Sequence, residues 1–146
     1  MLASVILITF NISFAVVGLF RKILLQEQLN AVSLVGTSIM LFVSTVLVFT
    51  VWYWILDSPS QEKRVTGEKV APVLIFPQNN ASYVGYENWT PEFIDYLYFS
   101  SNTSTAFGPT DTYMLSRPGK VVAMLQVLIS VVVIIALAAW AIGMLH

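Results

Sequence analysis

The sequence predicts an all-α membrane protein with three transmembrane helices plus one re-entrant helix and its loop. Three observations predict it. The 146 residues are 57% hydrophobic and only 10% charged, where soluble domains carry about 25% charged residues. Three uncharged stretches are each long enough to span a bilayer, for which about 20 apolar residues suffice. A fourth helical segment is too short to cross and is followed at once by a Gly-Pro turn and a full-length span.

The first stretch, Met1 to Phe20, has no basic residue before it and no small-residue cleavage site after Phe20-Arg21-Lys22, so it reads as a retained helix rather than a cleaved signal. Arg21 to Asn30 is a short polar connection that makes the first two helices an antiparallel hairpin, residues 1–56. The second stretch, Gln28 to Leu56, has 29 residues and should tilt or extend beyond the hydrocarbon. Val121 to Leu145 is the third. Each is apolar on all faces, so periodicity cannot orient it. Their polar residues include Thr9, Asn11, Ser13, Ser33, Thr37, Ser38, Ser44, Thr45, Gln126 and Ser130. Helix–helix hydrogen bonding is the plain reading of all of them. For Gln126 and Ser130 a water-filled path is the sharper one.

Residues 57–89 form an extramembrane connection containing Pro59, Pro72 and Pro77. Its middle, Val70 to Phe76, is apolar and β-branched and suits a short extended segment. A connection this long is usually functional or partner-bound. Residues 90–146 then carry the short helix, its loop and the last span. Thr90 is the expected N-cap, Pro91 the first helical position, and Glu92 complements the dipole. The helix should fade near Asn102. About 12 residues at 1.5 Å each reach roughly 18 Å, against a 30 Å hydrocarbon core.

The stretch Phe93-Ile94-Asp95-Tyr96-Leu97-Tyr98-Phe99-Ser100 is followed by Thr103-Ser104-Thr105-Ala106-Phe107-Gly108-Pro109-Thr110-Asp111 and by Arg117-Pro118-Gly119-Lys120. Over about Trp89 to Lys120 this string resembles the pore loop of the potassium-channel superfamily, which writes F-x-D-A-L-Y-F-S, then T-x-T-T-V-G-Y-G-D, then x-x-P-x-T-x-x-G-K. The flanking helices match only by hydropathy. The resemblance implies a pore helix supported by Asp95, Tyr98 and Phe99. It implies a filter-like loop of Thr105, Ala106, Phe107, Gly108, Pro109 and Thr110, with Asp111 at its rim. Gly119 and Lys120 would start the inner helix, and the assembly would be a homotetramer.

The filter itself departs from the family. It reads Ala-Phe-Gly-Pro-Thr where the family has Thr-Val-Gly-Tyr-Gly. Such filters replace the hydration shell of the ion with backbone carbonyls, and aiming successive carbonyls inward uses glycines that tolerate φ > 0. Ala106 lacks the hydroxyl that helps form the innermost site. Pro109 fixes φ, has no N–H, and pushes Gly108 toward extended geometry. The expectation is therefore a channel-like protein that is not strongly potassium-selective. The alternative is a non-conducting subunit that keeps the fold and docks on other membrane subunits. The same aromatic residues also fit an ordinary interfacial helix, since Trp and Tyr gather at such depths.

The resemblance places residues 57–120 outside and Arg21-Lys22 inside. Counting Lys63, Arg64, Lys69, Arg117 and Lys120 points the other way, although the rule weakens for connections above about 60 residues. Asn80-Ala-Ser82, Asn88-Trp-Thr90 and Asn102-Thr-Ser104 fit the glycosylation pattern. A net charge of −1 and no basic run exclude a nucleic-acid partner; the expected partner is the lipid bilayer. With no Cys and the single histidine His146, neither a thiol-ligated metal nor a cofactor is expected. No acid, base or activated nucleophile lies inside the three stretches, so an enzyme is not expected. No glycine interrupts the last helix between Gly119 and Gly143, so no mid-helix hinge is expected there.

Overall fold

A computed structural model describes residues 2–24, 31–79, 84–86, 89–105 and 111–143. It is mostly helical, with four helices among the described residues: α1 (Leu2–Leu24), α2 (Ala31–Val65), α3 (Phe93–Thr105) and α4 (Arg117–Gly143). Between them lie two short strands, β1 (Leu74–Ile75) and β2 (Tyr113–Met114), and a 3-10 turn at Pro77–Asn79. By length and composition two helical segments can cross a membrane, Leu34–Val65 and Arg117–Ala138; α1 carries a shorter apolar stretch, Ala3–Leu19.

The second helix does not end at Leu56. It runs through Pro59 to Val65. An interior proline removes one helical hydrogen bond, but the turn is held by the Ser58 hydroxyl donating to Trp54 O at 2.6 Å and the Ser60 hydroxyl donating to Asp57 O at 2.8 Å. The stop comes at Gly67, whose φ is +86°. Gly67 N donates to Arg64 O at 3.0 Å and Glu68 N to Lys63 O at 2.9 Å. That bond pair is a Schellman motif, which needs the left-handed residue that glycine supplies without steric cost. Lys63 and Arg64 in the last turn also suit the negative end of the helix dipole.

The extended segment expected within Val70 to Phe76 is β1. It pairs antiparallel with β2, Leu74 opposite Met114 and Ile75 opposite Tyr113. Leu115 N extends the pairing to Val73 O at 3.0 Å. The strands thus tie the long connection to the chain just ahead of α4.

The start of α3 differs from the expected cap. The helix begins at Phe93, and Glu92 rather than Thr90 holds the cap position. Glu92 N donates to the Asp95 carboxylate at 2.7 Å while Asp95 N donates to Glu92 O at 3.0 Å. This is the returning half of a capping box. At 13 residues α3 is about 20 Å long. In α4 the cap is Ser116, whose Oγ accepts from Gly119 N at 3.1 Å.

One core runs through all four helices and β1. It contains Ile12 and Val16 of α1, Phe49 and Tyr53 of α2, Leu74 of β1, Tyr96 and Phe99 of α3, and Ile129 and Val133 of α4. The Trp52 indole donates to the Thr9 hydroxyl at 2.9 Å and fixes α1 on α2.

Candidate functional site

The site is the seat of α3. This helix buries Tyr96, Phe99, Ser100 and Ser104, positions that fall on one face at helical spacing. Ile94 and Tyr98 of the opposite side are exposed, as is Phe93 at the helix start. The inward face combines two aromatic rings of the core, Tyr96 and Phe99, with the hydroxyls of Ser100 and Ser104. Tyr98 and Phe99, expected together as filter support, part company here. Phe99 stacks edge-on against Tyr53 with ring centroids 4.8 Å apart, whereas Tyr98 is 52% exposed. Asp95 serves as the cap of its own helix.

Gln126 of α4 fixes the lower half of α3. It is fully buried. Its Nε2 donates to Ser104 Oγ at 2.6 Å and to the carbonyl and hydroxyl of Ser100, both at 2.8 Å. Its Oε1 accepts from the Tyr53 hydroxyl at 2.5 Å. Ser100 Oγ in turn donates to Val46 O at 2.8 Å. One amide thus joins α2, α3 and α4, so Gln126 takes the helix–helix role rather than facing a water-filled path. Ser130, one turn further on, is also fully buried, and its hydroxyl has no partner among the described residues.

Asp57 fixes the upper half. Its carboxylate is completely buried and accepts from the Tyr96 hydroxyl at 3.0 Å, from Gln61 Nε2 at 2.8 Å and from Ser60 Oγ at 3.0 Å. Gln61 Nε2 also donates to the Tyr96 hydroxyl. Tyr96 and Gln61 use Oδ2, and the backbone N–H groups of Val73 and Leu74 join Ser60 on Oδ1 at 3.2 and 3.4 Å. Arg64 stands 3.7 Å away. Burial, and then the negative charge of Asp57, push the Tyr96 hydroxyl well above its ordinary pKa, so it stays protonated and donates. Asp57, Tyr53 and Tyr96 are absent from the sequence expectations. The uncharged stretch ends at Leu56, one residue short of the buried acid.

These two anchors define the path of the chain. Tyr96, near the start of α3, lies beside Asp57 near the end of α2. Ser104, near the end of α3, lies beside Gln126, nine residues into α4 and so about 13 Å along it. By Tyr113 the chain is back at β1, level with Asp57. Residues 93–105 thus run from the level of Asp57 to that of Gln126, and Tyr113 and Met114 lie back at the level of Asp57.

Thr105 is the last residue of α3, its hydroxyl donating to Asn102 O at 3.1 Å. Ala106, Phe107, Gly108, Pro109 and Thr110 lie outside the described residues. Asp111 is exposed and accepts from the Thr112 hydroxyl at 3.3 Å. Gly119 and Lys120 fall in the first turn of α4. Gly119 is buried, and a Cβ there would collide with the Met114 side chain and with the capping Ser116 Oγ. Of the three glycosylation triplets, Asn102 and Ser104 lie within α3, with Ser104 buried. Asn80, Ser82 and Asn88 lie outside the described residues. Among the described residues no group of three His, Asp or Glu side chains could hold a metal.

No family model, no curated protein and no solved structure matches the chain. Nothing in these comparisons identifies a potassium-channel pore domain, so that resemblance stands on the residues quoted above.

Proposed function

We propose that the chain is a multi-pass, pore-loop membrane protein in which α1, α2 and α4 span the bilayer and α3 re-enters it, four copies enclosing a pathway of weak or non-potassium selectivity. The observation that carries this reading is the path of segment 93–114. If α2 and α4 cross the membrane, a helix that descends to the depth of Gln126 and a chain that returns to β1 are re-entrant by construction. Irregular backbone at such depth persists only where protein or a water-filled cavity satisfies it. The sequence Ala106-Phe107-Gly108-Pro109-Thr110 supplies the argument against strong potassium selectivity.

A second reading has its own observation in favour. Tyr96, Ser100 and Ser104 are all hydrogen-bonded within the chain, and the outer face of α3 offers Ile94 and Tyr98. That arrangement also suits a non-conducting subunit that presents an apolar face to other membrane subunits. Stoichiometry separates the two. Native mass spectrometry of the protein in mild detergent should show four copies, and bilayers containing it should carry current. A lone copy without current overturns the pore and supports the subunit.

A further inference from the structure

Away from the seat of α3, a hollow of about 730 Å³ lies between the last turn of α2 and the strand pair. Small-molecule pockets are about 300–1,000 Å³. The hollow carries one side chain of each charge, Arg64 from α2 and Asp111 just ahead of β2. The rest of its lining is mainly apolar, with Pro72, Ile75 and Pro77 from β1 and its flanks and the exposed Tyr113 from β2.

Arg64 is available to a ligand because Asp57 is already served. The buried Asp57 carboxylate accepts from five neutral donors, Ser60 Oγ, Gln61 Nε2, the Tyr96 hydroxyl and the backbone N–H groups of Val73 and Leu74. An ionised carboxylate has about four lone-pair sites, so these donors fill it. Arg64 stands 3.7 Å from Oδ2, too far for a hydrogen bond, and its side chain is 27% exposed. Asp57 thus holds the guanidinium by charge and leaves its planar fork of N–H donors for another carboxylate. On the other wall Asp111 is exposed and accepts from the Thr112 hydroxyl through Oδ1. Its second oxygen can accept from a bound ammonium.

We propose that this hollow binds a small zwitterion, its carboxylate on Arg64, its ammonium on Asp111 and its methylene body against Pro72, Ile75 and Tyr113. A ligand with one charge leaves the other wall's charged group partly desolvated and unpaired, which costs free energy. The ligand comes from water rather than from the lipid. If α2 crosses a bilayer up to Leu56, Arg64 lies about 12 Å further along the helix, and the headgroup layer on each side is only about 5–7 Å thick.

The probes are glycine, γ-aminobutyrate and ε-aminohexanoate, with hexanoate and hexylammonium as the single-charge counterparts of the last. Calorimetric titration of the full-length protein in mild detergent reads their affinities. At least one zwitterion should bind, with a dissociation constant about tenfold or more below those of hexanoate and hexylammonium, a ratio that one charge-assisted hydrogen bond supplies. Arg64→Gln and Asp111→Asn should each weaken that zwitterion by a similar factor. If Arg64→Gln does not fold, because Asp57 loses its countercharge, Asp111→Asn at its exposed position carries the test. Binding of none of the three zwitterions overturns the proposal. So does equal binding of either single-charge counterpart, which would leave a simple ion site, and so does unchanged affinity in Asp111→Asn. The readout needs no current, so silent bilayers count against the conducting reading alone, and failed binding leaves that reading untouched.

Discussion

The Tyr53 hydroxyl donates to Oε1 of Gln126 at 2.5 Å, joining α2 to α4 across 73 positions of sequence. If α2 and α4 cross a bilayer, such a bond matters because hydrocarbon offers no competing apolar drive. Association rests on close packing and interhelical hydrogen bonds. The same amide also holds Ser100 and Ser104, so its removal is felt in three helices.

Gln126→Leu should therefore destabilise the protein by about 2 kcal/mol. The figure follows from membrane hydrogen bonds worth about 0.6 kcal/mol each and from unpaired buried groups costing about 1–3 kcal/mol. Leucine fills the volume but removes the acceptor of the Tyr53 hydroxyl and the donor to Ser100 and Ser104, while Ser100 keeps its bond to Val46 O. The midpoint of unfolding in mixed detergent micelles measures it. No change in midpoint would mean that the three hydroxyls find other partners, and Gln126 would lose its place at the centre of the site.

Tyr96 should make stability depend on alkaline pH. Its folded pKa is raised, first by burial and then by Asp57, above the unfolded value of about 10. Such a group gives its full stabilisation below the unfolded pKa and loses it as pH rises toward the folded one, because the unfolded chain ionises first. The unfolding midpoint should be flat from pH 7 to about 9 and fall above about 10. Tyr96→Phe should remove its share of that slope. An identical slope in the variant would assign the alkaline loss to other groups.

How much of this was legible in the sequence differs by element. The long apolar stretches were, because an uncharged run of that length has few other uses. The short helix was too, through Thr90, Pro91 and Glu92 at its start and a length below a membrane's thickness, although its cap sits two residues later than expected. The end of α2 was not. Asp57 and Pro59 look like the start of a loop, while the true stop is Gly67 with its Schellman bonds. The seat of α3 was half legible. Gln126 stood out as a polar residue in a span, but its partners Tyr53 and Ser100 lie on other elements. Spacing gave α3 its faces without saying which one packs, and the face that packs mixes Tyr96 and Phe99 with Ser100 and Ser104. Tyr53 is one of many aromatics, and Asp57 lies one residue past the uncharged stretch.

Gly119 should tolerate alanine only when Met114 is shortened. Alanine in a helix normally gains up to about 1 kcal/mol over glycine. Here its Cβ meets the Met114 side chain and the Ser116 oxygen that caps α4, and a lost cap costs about 1 kcal/mol. Gly119→Ala should thus be neutral to destabilising, and adding Met114→Ala should recover part of the loss. Thermal melts of the two variants and their combination decide. Stabilisation by Gly119→Ala alone would show that the contact yields freely.

The two ends of the helical layer should lie on opposite sides of the membrane. Lys22, in the last turn of α1, and Glu68, just past the end of α2, are exposed and mark opposite ends of the α1–α2 pair. With no native cysteine to interfere, Lys22→Cys and Glu68→Cys can each be offered an impermeant thiol reagent in intact cells. The pore-loop register puts Glu68 outside and Lys22 inside, so only Glu68→Cys should react. Reaction of Lys22→Cys alone inverts the topology in the sense that the Lys and Arg count favours. Reaction at both sites removes the transmembrane assignment of α2.

Current carried by the protein should show little preference for potassium over sodium. Ala106 brings no hydroxyl to the innermost position of the filter-like string. Pro109 brings no N–H and a fixed φ, and Thr110 stands where the family uses glycine to reach φ > 0 at no steric cost. A row of inward carbonyls that replaces the hydration shell is therefore not available to this sequence. Reconstituted bilayers under a potassium/sodium gradient should give a reversal potential far from the potassium equilibrium value; a value close to it would refute the filter argument. The converse experiment is sharper. Writing Thr-Val-Gly-Tyr-Gly at positions 106–110 leaves Tyr96, Ser100 and Ser104 on their anchors at Asp57, Val46 and Gln126. If those anchors hold a pore helix, the replacement should shift the reversal potential toward potassium. If α3 is an interfacial helix of a non-conducting subunit, neither the parent nor the replacement should pass current.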